Sequence, residues 1–411
     1  MNKKTYLLLL LLIGLQFFNI VVFQPIFNFR YMYEILLIIW LFIGYWKWGR
    51  GHLKYYKKEL RYWYWLLIGI CSSIIPLYIT IGQTPLHSLW IYKGIIIVYC
   101  CIPVLLSIGY KYNEIIDTTF TFSIIYAFVF ILVAIFPMLK AGNINEAGNI
   151  KEVSDGNYGY ILNGIEILLF PLYAYSRQYT NSHNIKALYK VIFLIILIFL
   201  IQNRSILFPA FIFTAFILLK RPLMRFIIIV SFVLILYIPN LNPIQNLIQQ
   251  TKEESISDEN NRNIAYGYYL KENFSSARQI IFGTGIQSTH TSNQQEKFRE
   301  NESQGIFASD VGFLGFMNTY GIIPIIIFLI ILFKPIIFWK AYTLDIKIMA
   351  LHILLCSATI SYFDSFIHTI WLILFVVLSS IEHRSLQSMN INNKFNKRQE
   401  YGLNPSTCIQ E

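Results

Sequence analysis

The feature that most constrains this chain is a series of long apolar blocks separated by short polar or basic stretches. We count twelve, near residues 5–24, 32–46, 62–81, 88–108, 116–138, 157–175, 188–203, 205–219, 223–239, 311–333, 346–362 and 364–381. A helix needs about 20 mainly apolar residues to cross a bilayer. Only 13% of the residues are charged, against about 25% in a soluble domain. The sequence therefore predicts an all-α, polytopic integral membrane protein with about twelve transmembrane helices (roughly 11 to 13) and excludes a water-soluble enzyme.

The lysines and arginines test this count independently, because short cytoplasmic loops are enriched in both. With the N-terminus inside, 22 of them fall in predicted cytoplasmic segments and only four in short outer loops. The four are Arg30, Lys140, Lys151 and Arg204. This distribution predicts cytoplasmic N- and C-termini. It also explains the net charge of +11 through topology rather than through a nucleic-acid surface.

The blocks and polar stretches divide the chain into four regions. Helices 1 to 9 fall within 1–239, a large extracytoplasmic loop covers 240–309, helices 10 to 12 fall within 310–382, and 383–411 form a cytoplasmic tail. The large loop contains apolar groups around Tyr266 to Leu270 and Ile280 to Phe282 that can lie against the membrane face. We find no repeat relating the first six spans to the last six, which weighs against transporters built from duplicated halves.

The stretch from Val191 to Leu219 has two possible readings, one over-long helix or two spans. A single helix would place Arg204 near the bilayer centre, at a cost of about 2.5 kcal/mol or more, and would move every later basic loop to the outside. Two spans that turn at Gln202-Asn203-Arg204-Ser205 avoid both problems. We therefore predict a hairpin with Arg204 at the outer membrane surface.

Motifs of soluble enzymes are absent from the sequence. There is no P-loop, dinucleotide fingerprint, H-E-x-x-H or C-x-x-C. The six aspartates never stand two apart, so no D-x-D can hold a metal under a nucleotide diphosphate. The sequence predicts neither a cofactor nor a metal.

Arginines on the outer side are the first candidates for chemistry. Arg204 can form bidentate, charge-assisted hydrogen bonds to phosphate, or it can anchor the turn by reaching lipid phosphate. Arg262 and Arg278 lie in the large loop, the latter shortly before Gly283-Thr284-Gly285, where glycine amides can let the backbone approach an anion. Both could instead be members of surface ion pairs, because the loop also carries eight acidic residues between 253 and 302.

Asp310 and His290 are the candidate proton acceptors. Asp310 stands where the large loop enters the next span, so it can cap that helix and can also accept a proton from a sugar hydroxyl. His290 titrates in the right range for a base, although a lone histidine in a polar loop is usually only solvated. Three further ionisable groups fall within or beside spans, with lipid anchoring or helix packing as alternatives. They are Lys93, Glu166 and Asp364.

Taken together, these residues resemble a known family. Five short motifs carry the resemblance. They are, in chain order, the outer-turn Arg204-Ser205, Asn261-Arg262, Phe282-Gly283-Thr284-Gly285, Ser309-Asp310-Val311-Gly312-Phe313-Leu314-Gly315 and Tyr320-Gly321-Ile322-Ile323-Pro324. Together they are similar to motifs of bacterial O-antigen and capsule repeat-unit polymerases (Wzy-type), which are related to O-antigen ligases. The similarity is clearest from about 200 to 324. The first half is similar only as an array of spans.

The resemblance implies a metal-independent glycosyltransferase in the bacterial cytoplasmic membrane. Such enzymes join oligosaccharide repeat units carried on undecaprenyl diphosphate, and the resemblance assigns the diphosphate to Arg204 and Arg262. From its position at the water–membrane boundary, we predict that Asp310 orients or deprotonates the acceptor sugar. The expected partners are the lipid-linked oligosaccharide, the bilayer and a chain-length regulator protein, with no nucleic acid. The alternatives are an O-antigen ligase and a lipid-linked oligosaccharide flippase. Ligases keep a histidine near the end of the large loop, where this chain has Asp310, which favours the polymerase.

Overall fold

The computed structural model describes residues 1–19, 32–49, 51–136, 162, 164–201, 204–220, 264–271, 276–286, 311–357 and 366–400. Side chains are described within these ranges except at 19, 81, 204–205, 366–367 and 389–400. Every regular element in these ranges is a helix. The predicted all-α class is confirmed for this part of the chain.

Fifteen α-helices have defined bounds in the described ranges. They are α1 Lys3–Gly14, α2 Met32–Trp48, α3 Lys57–Ser72, α4 Ile74–Ile81, α5 Pro85–Tyr99, α6 Cys101–Ile108, α7 Tyr112–Ile135, α8 Leu169–Ser182, α9 Ile185–Ile201, α10 Arg204–Leu218, α11 Ala277–Phe282, α12 Phe313–Tyr320, α13 Ile322–Ile337, α14 Leu344–Cys356 and α15 Phe366–Glu400. Residues 264–271 are also helical.

Four helical stretches in the described ranges are long and apolar enough to cross a membrane. They are Lys57–Thr80, Pro85–Ile108, Tyr112–Ile135 and His368–Ser388. The first two each join consecutive helices, α3 with α4 and α5 with α6. Ile206–Leu218 and Ile322–Ile337 are apolar but shorter. The chain is thus a helical protein suited to a membrane.

Helix boundaries differ from the predicted blocks at three places. The first described helix ends at Gly14, and Phe17 and Phe18 have positive φ. The block 311–333 is two helices, because Gly321 has φ +80° and ends α12, as a glycine after a helix commonly does. The last helix continues to Glu400, 19 residues past the predicted end of its block.

Helix α15 lies at the centre of the bundle. It packs against α1, α5, α6, α7 and α14, and 78% of the positions in its membrane-length stretch are buried, against 33% in α7. Around it, α8 packs against α9 and α10, while α13 packs against α3 and α14. The hydrophobic core therefore follows α15.

Side-chain contacts define one end of the bundle, which we call the basic end. The Lys3 ammonium donates to the Gly109 carbonyl at 2.9 Å, Lys334 pairs with Glu59 at 3.7 Å, and the Arg384 guanidinium lies 3.8 Å from the centre of the Tyr55 ring. These residues come from segments that the charge distribution predicted to share one membrane face. We call the other end of the bundle the opposite end.

A buried charge cluster joins four helices at the basic end. One guanidinium nitrogen of Arg177 on α8 lies 3.2 Å from the Asp345 carboxylate on α14 and 3.3 Å from the Glu382 carboxylate on α15. The Tyr112 hydroxyl on α7 donates to the other Asp345 oxygen. Asp345 is fully buried. We call these four residues the Arg177 cluster.

Candidate functional site

A non-helical segment, residues 283–286, follows α11 in the chain. It forms hydrogen bonds to the C-terminal end of α12. The Thr284 amide donates to the Asn318 carbonyl at 2.6 Å, and the Gly285 amide donates to the Thr319 carbonyl at 2.8 Å. The Thr284 hydroxyl donates to the same Asn318 oxygen at 3.0 Å. Both carbonyls lie in the last turn of α12, where helix carbonyls lack partners within the helix. The segment therefore caps α12 with main-chain hydrogen bonds.

Two glycines make this contact possible, and we call the place where they meet the glycine junction. Gly283 has φ +72° and Gly321 has φ +80°, values that L side chains rarely adopt. A Cβ on Gly283 would lie 2.4 Å from the Thr319 carbonyl oxygen, and one on Gly321 would lie 2.1 Å from the Ile281 carbonyl oxygen. Any side chain at either position would push the two backbones apart.

A chain of hydrogen bonds fixes the end of this segment inside the bundle. The Ile286 amide donates to the Tyr92 hydroxyl at 2.9 Å, and that hydroxyl lies 2.6 Å from the Ser73 hydroxyl. Ser73 uses its one proton on the Ile70 carbonyl at 2.7 Å, so Tyr92 donates to Ser73. Tyr92 and Ser73 are both fully buried. The segment is thus tied to α5 and to the boundary between α3 and α4.

Residues 283–286 extend into the bundle, past the C-terminal end of the neighbouring helix α4. A Cβ on Gly285 would lie 2.8 Å from the Ser73 carbonyl oxygen, and Ser73 precedes the last residue of α4, Ile81, by eight positions. At 1.5 Å per residue this is about 12 Å along the helix. Non-helical backbone at such depth in a membrane protein is tolerated only where protein buries it or where it lines a cavity. The break between α12 and α13 adds a second interruption of helical structure at this place, and interrupted helices of this kind line the substrate sites of transporters.

Arg204 is the first residue of α10, and α9 ends at Ile201. The prediction of two helices in this stretch is confirmed. The Thr180 hydroxyl donates to the Ile217 carbonyl at 3.3 Å, which puts the far end of α10 beside the basic end. Arg204 therefore starts its helix at the opposite end. Its side chain lies outside the described part of the structure.

Arg278 lies on the exposed face of the short helix α11, which Ser276 begins by accepting a hydrogen bond from the Gln279 amide. The hypothesis that the following glycine amides hold an anion is wrong. The Gly283 amide donates to the Gln279 carbonyl, and the next two amides cap α12. These donors are already used, so an anion near Arg278 cannot take them.

The helices that carry the two described candidate arginines have different packing neighbours. Helix α10, which begins at Arg204, packs against α8 and α14. Helix α11, which carries Arg278, packs against α4, α12 and α13. The structure therefore does not bring these two candidates together through packing of their helices.

Arg262, His290 and Asp310 lie outside the described residues. Two of them have neighbours in sequence that the structure does describe. Ala265 and Val311 are buried in one small cluster, so the helix at 264–271 packs against the start of α12. The segments that follow Arg262 and Asp310 thus meet.

Two of the ionisable groups predicted within or beside spans lie in the described ranges, and both are paired. Glu166 is 4% exposed, and its carboxylate lies 3.1 Å from the His368 imidazole on α15, which is the kind of contact that the packing alternative predicts. Lys93 pairs with Glu34 at 3.2 Å. Asp364 lies outside the described residues. The sequence analysis did not single out His368. The signal was present, because a histidine within an apolar block is an ionisable group in a span, as Glu166 is.

Among the described residues, no three His, Cys, Asp or Glu side chains lie close enough to hold a metal ion. No protein-family model matches the chain, and no curated protein matches it. The functional argument therefore depends on the residues and on their geometry.

Proposed function

We propose that this protein is a membrane-embedded polymerase that joins oligosaccharide repeat units carried on undecaprenyl diphosphate at the outer face of the bacterial cytoplasmic membrane. In this proposal the chain has about twelve spans, residues 240–309 form the large outer loop, and both termini are cytoplasmic. Arg204 and Arg262 bind the donor diphosphate, and Asp310 orients or deprotonates the acceptor sugar.

The glycine junction is the observation that carries the proposal. The resemblance to repeat-unit polymerases includes Phe282-Gly283-Thr284-Gly285 and Tyr320-Gly321, two short motifs that are far apart in sequence. In the structure these motifs interlock through their glycines. If the two motifs matched the family only by chance, there would be no reason to expect them to contact each other in the structure. The junction also lies at the opposite end of the bundle, away from the basic end, as an outer-face site requires.

The proposed reaction needs no nucleotide because the lipid-linked sugar already carries its leaving group. The acceptor hydroxyl oxygen forms a bond to the donor sugar carbon as that carbon's bond to the diphosphate oxygen breaks. Negative charge then grows on the departing lipid diphosphate, and fixed guanidinium groups stabilise it in a water-poor site. The hydroxyl proton passes to the Asp310 carboxylate. Each proposed residue has one role in this step.

The test is a gel of surface and lipid-linked glycan from cells that lack the protein. The cells are rescued with the wild type, with Arg204→Ala, or with Arg61→Ala as a matched control. Arg61 is an exposed arginine on α3 at the basic end, remote from the proposed site. We expect glycan of one repeat unit without rescue, and a full ladder with the wild type and with Arg61→Ala. Arg204→Ala should leave the single repeat unit.

Other outcomes would replace the proposal. Full-length polymer that persists on the carrier lipid in cells without the protein would identify a ligase. Repeat units trapped on the cytoplasmic side would identify a flippase. A normal ladder with Arg204→Ala would remove that arginine from the site.

A further inference from the structure

The pair formed by Glu166 and His368 has no role in the reaction described above. Glu166 lies in a short 3₁₀ helix, Ile165–Leu168, that leads into α8, and His368 lies in the first turn of α15. The 3₁₀ helix packs against α7, α9 and α15. The pair therefore joins the central helix of the bundle to the helices that precede Arg204 in the chain.

The contact between Thr180 on α8 and Ile217 on α10 gives the height of Glu166 in the bundle. Counted from that contact, Glu166 lies about 22 Å along α8 and its 3₁₀ extension. Arg204 lies about 20 Å from the same contact along α10. Glu166 is therefore at nearly the same height as Arg204, at the opposite end.

The Arg177 cluster gives the corresponding heights on α14 and α15. From its two carboxylates, His368 lies about 21 Å along α15 and Ser357 lies about 18 Å along α14. The Ser357 carbonyl accepts a hydrogen bond from the Phe313 amide at 3.0 Å, and Phe313 follows Asp310 by three residues. The pair thus lies in one layer with the start of α10 and the start of α12.

Only the histidine of this pair is accessible. The Glu166 side chain is 5% exposed, whereas the His368 side chain is 28% exposed. The Nδ1 atom of His368 lies 3.1 Å from the Glu166 carboxylate and is itself buried. The exposed part of the imidazole therefore lies away from Nδ1, on the side of the ring that carries Nε2.

The buried carboxylate determines which hydrogen-bonding group the ring presents. A neutral imidazole carries one proton, and this proton stays on Nδ1, because a lone pair there would face the negative charge of Glu166. Nε2 is then a hydrogen-bond acceptor. Sugar hydroxyls can donate to it, whereas the ionised oxygens of a diphosphate are acceptors themselves. The exposed side of the pair is complementary to a sugar.

We propose that Glu166 and His368 form a sugar-binding subsite of the proposed polymerase. His368 Nε2 accepts a hydrogen bond from a hydroxyl of the lipid-linked repeat unit, and Glu166 is a positioning residue that holds the imidazole. This inference rests on the proposed function and adds a contact with the glycan to the roles of Arg204 and Asp310. A repeat unit without a hydroxyl at the matching position binds more weakly, so the pair contributes to substrate specificity.

The experiment measures ligand binding to the purified full-length protein by native mass spectrometry in detergent. The two probes are the lipid-linked repeat unit extracted from cells that lack the protein, and undecaprenyl diphosphate, which carries no sugar. His368→Asn keeps an N–H near the position of Nδ1 but has no atom at the position of Nε2. It should weaken binding of the repeat unit by about twofold to tenfold, the effect of one hydrogen bond, and should leave binding of undecaprenyl diphosphate unchanged. His383→Asn is the matched control, because His383 lies on the same helix beside Arg384, at the basic end.

A double variant tests the role of Glu166. Glu166→Leu with His368→Phe replaces the pair by apolar side chains, a change that buried ion pairs often tolerate. It should weaken binding of the repeat unit no further than His368→Asn does, because Glu166 acts through the histidine. A larger loss would overturn the positioning role. Unchanged elution in size-exclusion chromatography would show that each variant is folded.

The two probes separate failure of the subsite from failure of the proposed function. Wild-type binding of the repeat unit by His368→Asn would overturn the subsite and leave the polymerase proposal intact. An equal loss for both probes would overturn the assignment to the sugar. A wild-type protein that binds neither probe would overturn the polymerase proposal and the subsite with it.

Discussion

Replacement of Arg177 by alanine should destabilise the protein more than any other single change at the basic end. The Arg177 cluster contains one cation and two carboxylates, and the same guanidinium nitrogen contacts both acids at 3.2 and 3.3 Å. Asp345 has no exposed surface, so in the folded protein its carboxylate depends on Arg177 and on the Tyr112 hydroxyl for compensation. The variant leaves two like charges close together in a buried site.

The magnitude follows from these distances. Each ion pair is worth about 5 kcal/mol at an effective dielectric constant of about 20, most of which offsets the cost of desolvating the charges. Removal of one partner from a buried pair typically costs about 3–5 kcal/mol, because an uncompensated charge remains. We expect a loss in that range. With an unfolding entropy of about 2 cal/mol/K per residue over 411 residues, this loss corresponds to a fall in Tm of about 3–6 °C.

Thermal unfolding of the detergent-solubilised protein measures this loss, with Tm read as the temperature at which half of the protein no longer elutes as a folded peak. Arg177→Lys should recover much of the stability, because one ammonium can replace the one nitrogen that contacts both acids. Lys186→Ala, on the exposed surface of α9, should change stability by no more than about 0.5 kcal/mol.

The double variant Arg177→Ala, Glu382→Gln separates charge from packing. If repulsion between the carboxylates causes the loss, neutralising one of them should restore part of the Tm. An Arg177→Ala protein as stable as Lys186→Ala would refute the reasoning. A double variant less stable than Arg177→Ala would assign the loss to packing around the arginine.

Three further predictions concern the opposite end. Arg204→Lys should shorten or abolish the glycan ladder, because lysine lacks the fork that binds phosphate in two places; a normal ladder would exclude bidentate binding. The N-cap of α12 is Gly312, with no side-chain capping hydrogen bond, so Asp310→Asn should stop polymerisation by removing the carboxylate, and normal turnover on the gel would exclude Asp310 as the base. Gly321→Ala should cost at least about 1–2 kcal/mol of stability, since its Cβ would lie 2.1 Å from the Ile281 carbonyl. Gly267→Ala, where a Cβ meets nothing within 4 Å, is the control in the same Tm measurement.

Local features of the chain were predictable from its sequence. Burial of Arg204 at the centre of a single long helix would be costly, so the sequence predicted a helix boundary beside it. The structure has α10 beginning at Arg204. The lysine- and arginine-rich segments that contain Lys3, Glu59 and Lys334 lie at one end of the bundle. Their shared excess of positive charge predicts this, because such segments face the same side of a membrane. Both inferences depend on a residue and its immediate neighbours in sequence, which a single chain supplies.

Contacts between distant segments were not predictable in the same way. The glycines at 283 and 285 suggested an anion site, but the amides of residues 283 to 285 donate to carbonyls of α11 and α12. The close approach of Gly283 and Gly321 also leaves no room for a side chain at either position. Nothing in the spacing of Arg177, Asp345 and Glu382 indicates that they meet. The central position of α15 could not be predicted either, because apolar composition does not distinguish a lipid-facing helix from a core helix. Indeed, α15 lies at the centre although it is the least apolar of the four membrane-length stretches.

The length of α15 has a structural consequence. Its 35 residues extend about 52 Å, whereas the hydrocarbon core of a bilayer is about 30 Å thick. A single unbroken helix therefore runs from His368, beside Glu166, through the Arg177 cluster and on past the basic end. No loop separates the part beyond the cluster from the Glu166–His368 pair, so both belong to one helical element.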